Sequence, residues 1–155
     1  MRPIANGFLF LRIFAFAAAV PYLLRLKLPR VAGAIEPGQE PSAVDEDRVQ
    51  KISAYVEKAI WHGKPLIRPG CLTRGLTRYF FFRRSGMDVA LCFGMGRVDN
   101  QVIGHCWLVK DGQPYLEPRD QDPRTRYAEM YRISRTASPK SGPAGTRGLA
   151  GFSGS

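Results

Sequence analysis

Between residues 71 and 117 the spacing of apolar side chains changes once, at Gly86, and that change dictates a helix followed by strands. In residues 71–85, Leu72, Leu76, Tyr79 and Phe80 recur at helical intervals, Arg83 and Arg84 fall in the last turn, and Gly86 is placed to close it. Residues 87–93 are rich in Val, Leu and Phe and read as a strand, and residues 94–100 read as a turn or loop. Residues 102–109 make a second strand, Asp111-Gly112 a hairpin turn, and residues 114–117 the returning strand. One more short element is expected within residues 127–135.

Upstream, Val49, Ile52, Val56 and Ile60 mark one face of a helix that ends near Trp61-His62-Gly63. Ser42 followed by Asp45, with Glu46 and Asp47 behind it, suits the start of that helix. Residues 33–41 read as linker. Residues 5–28 form a first helix that Pro21 kinks or ends. Its core, residues 13–24, is twelve residues without a charge, short of the ~20 that span a membrane. A helix docked on the domain, a helix lying on a membrane surface, and the apolar region of a signal peptide all fit it. The division expected is therefore an N-terminal helix and linker at 1–41, a catalytic domain at 42–135, and a disordered Ser/Gly/Pro-rich tail at 136–155.

A chain of 155 residues has room for one modest core. Its 23 basic against 13 acidic side chains leave a formal charge of +10, which attracts anionic partners of any kind and names none. The basic residues are scattered and match no nucleic-acid-binding pattern, so nucleic acid is not an expected partner. Three cysteines without a Cys-x-x-Cys argue against a disulfide framework and a zinc site, and favour a reducing, cytoplasmic setting. No metal or other cofactor is implied, and Gly94-Met95-Gly96 is too short for a phosphate loop.

Cys71 stands at the start of a helix, where unpaired N–H groups favour a thiolate. Residues 61–84 hold six Lys/Arg and no carboxylate, which pushes the thiol the same way. The plain alternative is a small buried hydrophobe. His105 tips the balance towards chemistry: a strand-borne imidazole follows a helix-start thiol in a chain with two histidines, the other being His62 at a helix end. Alternation puts Ile103, His105, Trp107 and Val109 on one face of the strand, with Cys106 facing away. Cys92 and Cys106 read as core, and Trp107 as core or the wall of a groove.

A third member depends on the hairpin register. Asp111 has the right parity but stands about 20 Å from His105 along an extended strand. A two-residue loop would set Cys106 opposite Glu117. A three-residue loop with Gly112 as the left-handed bulge residue sets His105 opposite Glu117, whose carboxylate would then orient the imidazole. The alternative for Glu117 is a solvated edge residue.

The segments GCLTRGLTRYFFFRRSGMDVALCFGMG and GHCWLVKDGQPYLE resemble the leader peptidases of lasso-peptide gene clusters, members of the transglutaminase-like (papain-like) cysteine protease superfamily. The resemblance spans about residues 64–118. It implies an α+β core: N-terminal helices, and a helix bearing the cysteine, packed on a small antiparallel sheet. It makes Cys71 the nucleophile, His105 its base and Glu117 the orienting acid, where the family usually has Asp. It further implies a precursor-peptide substrate, a separate leader-binding protein and a macrolactam synthetase as partners. Acyl transfer to an amine at the same site, or an inactive basic scaffold associated with a membrane through residues 5–28, are the alternatives.

Overall fold

The computed structural model describes residues 3–26, 28–35, 43–118 and 120–134. Helix α1 (Pro3–Leu23) runs on through Pro21 and is docked on the domain. Ile13, Ala17 and Val20, four and three apart, are fully buried on one of its faces. Phe10 meets Tyr55 edge-on at 5.7 Å, and Phe16 stacks on Phe80 at 4.2 Å. Phe8, Leu11 and Tyr22 stay exposed, and the segment Asn6–Leu23 is long and apolar enough to cross a membrane, a test that a core helix also passes. Residues 33–35, expected as linker, instead belong to α2 (Leu28–Ile35), because Val31 and Ile35 pack one turn apart into the core. The rest of that linker and the tail at 136–155 lie outside the described residues.

Helix α3 (Glu46–His62) is capped by Asp45, whose carboxylate accepts the Arg48 N–H at 3.1 Å. Ser42, the other expected cap, lies outside the described residues. Val49, Ile52, Val56 and Ile60 are buried as their spacing requires. Helix α4 (Cys71–Arg84) closes at Gly86, whose φ of 84° lets the Met87 N–H return to the Phe82 carbonyl.

Four antiparallel strands follow: β1 (Ala90–Val98), β2 (Gln101–Lys110), β3 (Gln113–Tyr115) and β4 (Ala128–Ile133), in the order β3-β2-β1-β4. The helices cover one face, where Leu91, Cys106, Leu108 and Ile133 enter the main core. Ala90, Cys92, Trp107 and Val109 form a small cluster with Tyr127 on the other. This is the expected α+β arrangement. The loop expected at 94–100 is mostly strand: β1 continues through Gly94 and Gly96 and turns at Asp99-Asn100, both with positive φ. Its glycines serve close packing, since a Cβ on Gly94 would come within 2.8 Å of the Ala128 carbonyl and of the Trp107 ring.

Candidate active site

Cys71 is the first residue of α4, behind Gly70, which offers no side-chain cap, so the helix presents its opening N–H groups beside the thiol. The strand β3 covers β2 only at residues 108–110, leaving the edge of β2 open at His105 and Cys106. The start of α4 meets that open edge. There Cys71 touches the outputs of both faces of β2 at once: the His105 imidazole from one, and the Cys106 thiol from the other. The thiol of Cys71 is held down at about 5. The largest cause is the hydrogen bond from the Cys106 thiol, opposed by burial and reinforced by the Cys106 backbone N–H and by the hydrogen bond and positive charge of His105. Cys106 is correspondingly pushed up by that hydrogen bond and by burial, so it stays a protonated donor. Cys92, far from this edge, is pushed up to about 12, chiefly by burial.

The imidazole is fixed by its neighbours. It stacks on Trp107 at 6.2 Å and lies 5.0 Å from the Tyr127 ring. Its Nε2 stands 3.7 Å from Glu117 Oε2, an ion-pair distance slightly long for a hydrogen bond. The register that delivers Glu117 is not the three-residue loop of the sequence reading. Leu108 pairs with Tyr115 and Lys110 with Gln113, so the loop is the two-residue Asp111-Gly112, with φ of 51° and 75°. The chain then breaks from β3 at Leu116, whose φ is 63°, and this left-handed residue swings Glu117 onto the imidazole. Cys71, His105 and Glu117, the three residues singled out by sequence, thus line one cleft of about 290 Å³.

A family model described as the transglutaminase-like superfamily matches residues 10–132. The chain belongs to that superfamily. The match takes in α1 from residue 10 onward as well as the cleft, and with it comes a cysteine-based activity of the protease or acyltransferase type. No curated protein and no solved structure gives a significant match.

Two features of the cleft escaped the sequence reading. Cys106 does face away from His105, as alternation requires, but facing away at an open strand edge brings it onto Cys71. Its adjacency to His105 was the one available signal. The other is the Arg74–Glu57–Arg78 cluster. Arg74, one turn after Cys71, grips Glu57 of α3 through Nε at 2.6 Å and a terminal nitrogen at 3.1 Å, and Arg78 reaches the same carboxylate at 2.8 Å. The basic field expected over residues 61–84 is thereby resolved into particular contacts. Arg83 is paired with Asp88 at 2.8 Å, Arg84 lies over Phe80 and Lys64 over Trp61, while Arg74 feels the Cys71 charge. Among the described residues no cluster of three His, Cys, Asp or Glu is placed to hold a metal ion.

Proposed function

We propose that this superfamily member is a cysteine peptidase that removes the leader from a ribosomally made precursor peptide. The observation that carries the reading is the contact of a low-pKa Cys71 thiol with an imidazole whose far nitrogen faces a carboxylate, at the mouth of one cleft. Nε2 faces Glu117, so Nδ1 is the nitrogen that exchanges a proton with the thiol. The Cys71 thiolate attacks the scissile carbonyl carbon, and the oxyanion settles on the Cys71 backbone N–H at the start of α4. His105 gives its proton to the departing amine, leaving a thioester on Cys71. Water then attacks the thioester as His105 takes its proton, and the carboxylic acid leaves as the Cys71 thiolate and the protonated His105 are restored.

Leader selection in this reading falls to a separate leader-binding protein, and the freed core peptide passes to a macrolactam synthetase. The resemblance of residues 64–118 supports both assignments. The test is cleavage of the cognate precursor, read by mass spectrometry, with Cys71→Ala and His105→Ala beside the parent. Loss of cleavage in both is expected, and undiminished cleavage by Cys71→Ala would overturn the mechanism. Superfamily membership also admits an amine as acyl acceptor. A conjugate formed when a primary amine is supplied would replace hydrolysis by transfer.

A further inference from the structure

The wall of the cleft beyond Cys71 is built from one stripe of α4: Cys71, Arg74 and Arg78, at helical positions that share a face. Two guanidinium groups there hydrogen-bond a single carboxylate, that of Glu57, and feel only at longer range the charge of Glu117, which faces His105. Arg78 is the less satisfied of the pair. Its side chain is 13% exposed, one terminal nitrogen donates to Glu57 at 2.8 Å, and its Nε is shut off from solvent without a partner. Burying a guanidinium whose hydrogen-bonded carboxylate is shared is costly, and a further carboxylate in the cleft offsets that cost through charge-assisted hydrogen bonds. Tyr115 and Leu116 line the same cleft.

Resting on the peptidase reading, we propose that Arg74 and Arg78 form a carboxylate subsite, selecting peptides with an acidic group near the bond that Cys71 attacks. Arg78 follows Cys71 by two helical turns, about 10 Å, and an extended peptide covers that in about three residues. The carboxylate is either an Asp or Glu side chain or the C-terminal carboxylate of a short peptide. Both present the same planar pair of oxygens to a guanidinium.

The experiment alkylates Cys71 in the full chain with short peptides carrying a chloroacetyl group at the N-terminus or a chloromethyl ketone at the C-terminus. The peptide thus extends either way from the sulfur. Each carries Asp or Asn at the second or third residue, and the chloroacetyl set is made with a free or an amidated C-terminus. One direction and spacing is expected to favour Asp, or the free terminus, by about tenfold, and Arg78→Gln to bring that ratio within about twofold. Glu57→Gln, which frees both guanidinium groups, is expected to raise the ratio, and it serves if Arg78→Gln misfolds. Arg97→Gln, on an exposed part of β1, controls for the general positive charge. Equal rates for Asp and Asn and for free and amidated termini in every reagent, or a preference that survives Arg78→Gln, overturn the subsite while leaving the peptidase reading standing. A carboxylate preference without cleavage of any precursor keeps the subsite and sinks the peptidase; an unreactive Cys71 sinks both.

Discussion

Glu117 stands 3.7 Å from the Nε2 of His105 although the strand that leads to it ends two residues earlier, at Tyr115. One left-handed residue, Leu116, closes that gap. The approach therefore depends on backbone conformation at a position whose side chain plays no part in the chemistry.

Leu116 gives the first prediction. A leucine in the left-handed region carries strain of ~1–2 kcal/mol, and a β-branched side chain fits there worse. Leu116→Val should lower stability by about 1 kcal/mol or more in urea denaturation, and should slow the reaction of Cys71 by displacing Glu117. Leu116→Gly should retain the reactivity. If Leu116→Val leaves both quantities alone, Glu117 is not positioned by this bend.

The pH dependence of Cys71 follows from its lowered pKa. The reactive species is the thiolate, so a thiol brought from 9.0 to about 5 is already ionised at neutral pH and loses reactivity only as pH falls through about 5. Iodoacetamide incorporation, read residue by residue by mass spectrometry, should show that midpoint for Cys71. Cys92, pushed up to about 12, should stay inert across the same range. A Cys71 midpoint in the range of an ordinary thiol would remove the main support for a nucleophile here.

Cys106 supplies the largest part of that lowering, by donating its thiol hydrogen to Cys71. Cys106→Ala keeps the backbone N–H and removes the thiol donor. The Cys71 midpoint should therefore move to higher pH, while remaining below that of His105→Ala combined with Cys106→Ala. An unmoved midpoint in Cys106→Ala would transfer the effect to the backbone N–H and the imidazole.

What could be read in the sequence, and what could not, divides along physical lines. Val49, Ile52, Val56 and Ile60 declare their helix because burial of one face imposes a period, and Asp45 or Gly63 bound it by satisfying free backbone groups. Parity along β2 likewise separates His105 from Cys106. Parity assigns a face, however, and not an edge. The meeting of both residues at Cys71 depends on where β3 stops, which only tertiary pairing decides. Gly94 and Gly96 look like loop residues because glycine weakens an isolated strand, yet here the approach of Trp107 and Ala128 to the first, and of Arg126 and Tyr127 to the second, requires the missing Cβ. Leu116 gives no signal at all, since leucine rarely adopts the conformation it holds.

Gly75 is the next place where a missing Cβ matters. A Cβ there would lie 3.0 Å from the Cys106 sulfur and 3.1 Å from Leu91 Cδ1. Gly75→Ala gains ~1 kcal/mol of helix propensity, but overpacking at a buried helix–sheet contact costs ~1–3 kcal/mol. We expect a net loss of stability, and with it a rise of the Cys71 midpoint as the Cys106 thiol is displaced. A stabilised Gly75→Ala protein with unchanged Cys71 reactivity would show that α4 can yield at this contact.

The last prediction concerns whether α1 belongs to the core. Ile13 is fully buried against the other helices while Phe8, on the same helix, is 62% exposed. Removing a buried isoleucine costs ~2–5 kcal/mol through lost transfer energy and the cavity left behind, whereas truncating an exposed side chain costs ~0.5 kcal/mol or less. Ile13→Ala should therefore shift the urea midpoint strongly and Phe8→Ala hardly at all. The contrast separates docking from the other uses of an apolar helix: a segment that served only to contact lipid would show two small, similar effects in water. Because Phe16 of the same helix stacks on Phe80 of α4, loss of this docking should also loosen the helix that presents Cys71. Ile13→Ala should then slow the thiol's alkylation near its midpoint as well as lower stability.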